Sequence, residues 1–341
     1  MCATNLESIA RALVPPGKGI LAADESHPTI AKRFAALGIE NTAENRRLYR
    51  QMLFTTRDIP AFISGVILFD ETIRQKADDG TPFPELLARQ RILPGIKVDK
   101  GAKGLAGASG ELVTEGLDGL RDRLAEYKTL GAAFAKWRAV ITIGPGVPSS
   151  YCIEANAHAL ARYAVLCQEA GLVPIVEPEV LMDGDHTIER CFEVTEVTLH
   201  TVFAALHQQR VAPEGMLLKP NMVLSGKSCS RQAGIHEVAD TTIRCLRRTV
   251  PAAVPGIVFL SGGQGDELAT AHLNAMNAKG GPHPWALSFS YGRALQAPAM
   301  MAWKGQSTLI PAGQQALYHR ARCNGAARDG RYTPELERVI A

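Results

Sequence analysis

The chain has 341 residues, 46% hydrophobic and 21% charged, which is ample core material for one large domain or two ordinary ones. Its net charge is only +3 and its basic residues are dispersed, which excludes a general nucleic-acid or membrane-surface binder. Seven cysteines lack a C-x-x-C pair and no histidine pair has H-E-x-x-H or H-x-H spacing, so neither a disulfide framework nor a metal is expected, and no apolar stretch reaches the roughly 18 residues of a membrane span.

Met1 to Glu7 carries no basic region followed by a signal core, and Glu337 to Ala341 is no retention address, so the expected compartment is the cytoplasm. The first strand is expected over 18–23 and ends at Asp24-Glu25-Ser26. Strands follow over 65–69 and 95–98, the latter carrying Lys97 and leading to Asp99. A helix over about 117–130 stops at Gly131, and the run 134–143 places Lys136 and Arg138 two apart, on one face of a strand. Pro148-Ser149-Ser150 caps a helix that ends at Gly171, and its stripe of Ile153, Ala157, Leu160, Ala161 and Ala164 is core packing. The strand over 173–177 leads through Glu177 to Glu179, another same-face pair.

Asp183-Gly184-Asp185-His186 lacks the spacing of a calcium loop and reads as a polar turn before a helix over 187–209. Next come a strand over 215–219 ending in Lys219 and a helix over 236–249, on which Arg244, Arg247 and Arg248 suit a solvated face. A strand over 256–261 runs into Ser261-Gly262-Gly263, then a helix over 267–278. The last strand, over 285–290, runs into Ser290-Tyr291-Gly292-Arg293.

These strands are continuously apolar, as in a parallel sheet covered on both faces. Eight of them, spaced roughly 30–48 residues apart and alternating with helices, predict an α/β fold of the (β/α)₈ barrel type. The barrel is expected over 1–305, with an extension over 306–341 at or near its mouth. A doubly wound open sheet is the alternative, but no G-x-G-x-x-G turn follows the first strand.

In such a barrel the active site forms where the strands end. Lys219 follows two leucines and precedes a proline, and lysine is rarely fully buried without a partner. An amine held there loses hydration, which disfavours its ammonium form and makes it a candidate nucleophile for a carbonyl. Glycines after the last two strands let backbone N–H groups approach an oxyanion, and Arg293 adds a charged fork. Each residue also has a structural reading: Asp24 as a helix cap, Glu177 with Lys136 as an ion pair, Lys97 as a snorkelling surface lysine. Their shared position at the strand ends favours a site.

The motifs 16-PGKGILAADES-26, 77-ADDG-80, 97-KVDKG-101, 134-FAKWR-138, 174-PIVEPE-179, 217-LLKPNM-222, 259-FLSGGQ-264 and 288-SFSYGRAL-295 carry a resemblance from about Leu13 to Thr333. The chain resembles the class I, Schiff-base-forming fructose-bisphosphate aldolases. The resemblance implies a reversible aldol cleavage of fructose 1,6-bisphosphate in glycolysis and gluconeogenesis, giving dihydroxyacetone phosphate and glyceraldehyde 3-phosphate. It implies no cofactor, sugar phosphates as the partners, and a homotetramer.

Residue by residue, Lys219 matches the Schiff-base lysine and Glu177 the proton-transfer carboxylate, with Asp24 sharing that work. Lys136 matches the lysine that stabilises the intermediate, supported by Glu179. Ser261, Gly262, Gly263, Ser290, Gly292 and Arg293 correspond to the site of the C1 phosphate. Ser26, Lys97 and Arg138 lie where the C6 phosphate is expected, and Arg33 matches an arginine that contacts substrate phosphate. His27-Pro28-Thr29 replaces residues that are small in the family, and the chain ends Val339-Ile340-Ala341 where many animal members end in tyrosine. Another Schiff-base sugar-phosphate aldolase, or a transaldolase, is the alternative function.

Overall fold

A strand that is apolar throughout must bury both faces, because neighbouring side chains point to opposite sides. The computed structural model, which describes residues 3–279 and 283–338, shows how this chain does so. Its strands are β1 (Gly19–Ala23), β2 (Ile63–Leu68), β3 (Leu93–Lys97), β4 (Ala102–Gly104), β5 (Leu112–Thr114), β6 (Phe134–Ile141), β7 (Val173–Val180), β8 (Leu217–Leu218), β9 (Gly256–Phe259) and β10 (Ala286–Tyr291). Eight close into a parallel barrel in the order β1-β10-β9-β8-β7-β6-β3-β2, while β4 and β5 pair as an antiparallel hairpin outside it.

Inside the barrel, Ile20, Ala22, Ile67, Phe134, Val173, Ile175, Leu217 and Val258 form one apolar cluster. The intervening residues, such as Leu21, Val66, Ile96, Trp137, Val176, Leu218 and Phe259, join the larger core beneath the helices. The interior is filled by shape. A Cβ on Gly95 would lie 2.2 Å from the Phe134 ring, so only a glycine on β3 leaves space for that ring. Burying such an aromatic side chain stabilises the fold by roughly 2–3 kcal/mol. The helix Ala3–Ala12 closes the floor: Leu13 packs into the notch at Gly65 and Val14 into the notch at Gly256.

The outer helices include Leu120–Thr129, Ser150–Glu169, Ile188–Gln208, Ile235–Thr249 and Asp266–Ala278, close to expectation. Ser149 and Thr187 cap two of them, accepting from Cys152 N–H and Arg190 N–H, so Asp183 to His186 is the turn before a capped helix. The helices Ala43–Phe54 and Arg293–Trp303, like the β4–β5 hairpin, were not foreseen. No helix among the described residues is long and apolar enough to cross a membrane.

The helix of the extension, Ile310–Arg328, packs on Arg293–Trp303 and Asp266–Ala278 in the outer wall, and none of the described residues after Arg293 lines the cavity at the mouth. The reason is an apolar face, Leu317, Ala321, Cys323 and Ala327, that must be covered by neighbouring helices. Residues 339–341, including the unusual terminus, lie outside the described residues.

Candidate active site

The interior face of the barrel changes character along each strand. Ile20 and Ala22 are followed two residues on by Asp24, Gly95 by Lys97, Phe134 by Lys136 and Arg138, Ile175 by Glu177 and Glu179, and Leu217 by Lys219. The period of two therefore stacks a charged layer directly on the apolar filling, at the C-terminal ends of the strands. Parallel pairing aligns this layer across strands, with Lys97 opposite Lys136 and Arg138 opposite Glu177. All fifteen residues singled out from the sequence line one open cavity of about 1260 Å³.

At its base, Lys219 is buried just past the end of β8, where its N–H donates to Val176 O at 2.8 Å. Its Nζ is 3.3 Å from Glu177 Oε1, and Glu177 Oε2 is 3.3 Å from Lys136 Nζ. Lys136 Nζ also lies 2.7 Å from Asp24 Oδ2. One carboxylate thus bridges two amines, and a second holds one of them. Burial disfavours the Asp24 carboxylate, but the ammonium groups of Lys136, Lys219 and Lys97 outweigh it and hold this carboxyl well below the usual range. Burial likewise disfavours the Lys136 ammonium, and Asp24, Glu177 and Asp99 outweigh that and raise its pKa above an ordinary lysine's. Lys136 is therefore a fixed positive charge. Burial raises the Glu179 carboxyl, and Arg138, whose Nε donates to Glu179 Oε2, only partly opposes the rise.

One side of the cavity suits an anion. Gly262 and Gly263 have φ of +59° and +99°, a left-handed pair that glycine adopts without strain, ahead of the helix Asp266–Ala278. Gly292 precedes the helix Arg293–Trp303, whose first N–H groups have no intrahelical acceptor. Ser290 Oγ is buried without a hydrogen-bond partner, and among the described residues no carboxylate pairs with Arg293.

The other side is differently arranged, because its cations already have partners. Lys97 Nζ lies 2.6 Å from Asp99 Oδ1, Arg138 is held by Glu179, and Ser26 Oγ shares a hydrogen with Thr29 Oγ1 at 3.1 Å. Arg33 reaches the wall but pairs with Glu25, which also takes Arg50 at 2.5 Å. Burial alone would raise the Glu25 carboxyl, and these two guanidiniums instead hold it below its usual value. The sequence reading assigned no role to Glu25 and Asp99 on this wall, to Arg50 behind it, or to Lys227 on the glycine-turn side. For Arg50 a signal was present, since Tyr49, Arg50, Met52 and Leu53 form the buried face of a polar-looking helix.

Asp24, Glu177 and Glu179 each contact a lysine or arginine nitrogen. Outside the cavity, His319, Cys323 and Glu337 place ligand atoms within 4.8 Å of one another. Glu337 there already accepts from Arg320 and Tyr332, and burial pushes the Cys323 thiol up to about 11, which disfavours a metal-binding thiolate.

Known proteins resemble this chain over nearly its whole length. The family described as fructose-bisphosphate aldolase class-I matches residues 5–341. A probable fructose-bisphosphate aldolase class 1 of Xanthomonas campestris pv. campestris is 62% identical over 333 residues, covering 97% of this chain and 99% of that protein. The fructose-bisphosphate aldolase C of Rattus norvegicus is 54% identical over 329 residues, covering 96% and 91%. The solved structure of the Plasmodium falciparum fructose-bisphosphate aldolase, in complex with TRAP and a small-molecule inhibitor, superposes with a TM-score of 0.95 at 51% identity, covering 97% of this chain and 96% of that one.

Proposed function

The chain belongs to the class I fructose-bisphosphate aldolases, and from that premise we propose that it cleaves fructose 1,6-bisphosphate through a Schiff base on Lys219. The observation that carries this reading is the buried Lys219 amine, 3.3 Å from a carboxylate that also reaches Lys136.

Glu177 takes a proton from Lys219, the freed amine attacks the C2 ketone, and Glu177 returns the proton to the carbinolamine hydroxyl, which leaves as water. The resulting iminium draws electrons from C3, so the C3–C4 bond breaks once a base removes the C4-hydroxyl proton. Glu177 takes that proton, with Asp24 sharing the work. The aldehyde half leaves as glyceraldehyde 3-phosphate, and the enamine on Lys219 is protonated at C3 and hydrolysed to dihydroxyacetone phosphate. Lys136 supplies a fixed positive charge to the anionic steps, in a site too buried for water to screen it. Glu179 orients Arg138. Ser261, Gly262, Gly263, Ser290, Gly292 and Arg293 take the C1 phosphate. Ser26, Arg33, Lys97 and Arg138 serve the C6 phosphate, which must compete with Glu25, Asp99 and Glu179 for those cations.

Borohydride reduction in the presence of dihydroxyacetone phosphate and EDTA, followed by peptide mapping, tests the mechanism. A reduced adduct on Lys219 is expected, and loss of both adduct and turnover in Lys219→Met. An adduct on another lysine, or near-normal turnover of Lys219→Met, would sink the assignment. By its family resemblance the protein also acts in the cytoplasm as a homotetramer, which cell fractionation and sedimentation velocity would check. A monomer in sedimentation would refute the assembly.

A further inference from the structure

Lys227 lies outside the strand motifs, yet its backbone is fixed at the rim of the cavity. Gly226 N–H donates to His186 O, Lys227 N–H to Met182 O and Ser228 N–H to Gly184 O, each at 2.8 Å. The approach is so close that a Cβ on Gly226 would lie 2.4 Å from Gly184 O. The Lys227 side chain crosses toward the Ser261-Gly262-Gly263 turn. A Cβ on Gly263 would lie 3.0 Å from Lys227 Nζ and 2.7 Å from Arg293 Nη2.

Two cations therefore converge on one glycine, an arrangement their mutual repulsion opposes unless an anion lies between them. Arg293 has no carboxylate partner among the described residues. Lys227 contacts Asp183 Oδ1 at 2.8 Å, but this pair is exposed, with 43% and 64% of the two side chains accessible. Such pairs are weak, and an ammonium has three donors, so Asp183 orients Lys227 without satisfying it. The buried, unpartnered Ser290 Oγ lines the same cavity.

We propose that Lys227 is a second cationic ligand of the substrate's C1 phosphate, opposing Arg293 across Gly263 and setting the affinity for that group. The proposal rests on the reading of the glycine turns as the C1-phosphate cradle. It adds a residue from the loop after β8, supplied to a cradle otherwise built by the loops after β9 and β10.

The test compares Lys227→Gln, Lys227→Arg and Arg293→Ala with the unaltered enzyme on fructose 1,6-bisphosphate and on fructose 1-phosphate. Inorganic phosphate serves as a competitive inhibitor, and melting temperatures verify folding. Losing one charge-assisted contact at a half-exposed site predicts a KM for Lys227→Gln raised roughly tenfold on both substrates, with kcat little changed. Phosphate inhibition weakens in parallel, and Lys227→Arg restores both. If Lys227→Gln leaves KM unchanged while Arg293→Ala raises it, Lys227 is only the partner of Asp183, and the cradle stands without it. A loss confined to the bisphosphate would place Lys227 at the other phosphate and overturn the assignment. If Arg293→Ala also leaves KM and phosphate inhibition unchanged, the cradle itself is wrong, and the proposal falls with it.

Discussion

Lys136 and Lys219 share Glu177, but their removal has different consequences. Replacing Lys136 by Met strands Asp24 and leaves Glu177 only Lys219, whereas replacing Lys219 leaves both carboxylates their contact with Lys136. Breaking a buried pair from one side costs roughly 3–5 kcal/mol. Lys136→Met is therefore expected to lower both the denaturation midpoint and turnover, and Lys219→Met to abolish turnover with a much smaller shift in midpoint. Equal midpoints for the two variants would contradict this. Asp24 gives a pH signature. Its carboxyl is held below the usual range in the folded state, so its contribution to stability is present above the unfolded value of about 3.9 and is lost as pH falls below it. Stability measured by denaturant between pH 5 and 2 should fall less steeply in Asp24→Asn than in the unaltered chain. A slope as steep in Asp24→Asn would show that the low value of this carboxyl is not what drives acid destabilisation.

At the scale of elements, β3 and β6 meet at a glycine and a ring. A Cβ on Gly95 would overlap Phe134, and overpacking of this kind costs roughly 1–3 kcal/mol. Gly95→Ala should lower the urea midpoint, and adding Phe134→Leu should recover part of the loss. Additive effects would mean that the two sites do not share this space. The same strands show what the sequence made legible. Lys97, Lys136, Glu177 and Lys219 stood out because a charge inside an apolar run needs a special place. Lys227 did not, because a charge in Gly226-Lys227-Ser228 looks like ordinary loop polarity. Strand limits moved for local reasons. The expected strand over 215–219 pairs only at Leu217–Leu218, since Gly215 belongs to a turn and Pro220 has no N–H to extend the ladder. The strand expected to stop at Glu177 runs on to Val180, because its pairing with β6 survives Pro178. The helix Ala43–Phe54 escaped notice because Glu44, Arg46 and Arg47 precede its buried face, which begins only at Tyr49.

Across the whole molecule, distant parts of the chain are tied at a few points. Glu337 accepts from Tyr332 at 2.8 Å and from Arg320, fastening segment 331–338 to the outer wall. Glu337→Gln should raise hydrogen exchange in that segment while leaving the barrel strands protected; unchanged exchange would show that packing of Leu336 alone is enough. The floor is the more consequential tie. Leu13 and Val14 sit in notches at Gly65 and Gly256, and β10 must lie between β9 and β1 before the ring is whole. Residues 13 and 14 leave the ribosome long before Gly256 and Ala286–Tyr291. Until then the nascent chain carries a stopper with no vessel to seal, and an interior of Ile20, Phe134 and Ile175 with no lower closure. Those apolar residues are what chaperones and aggregation compete for. The interval between the first notch and the last strand is when this protein most needs shelter in the cell.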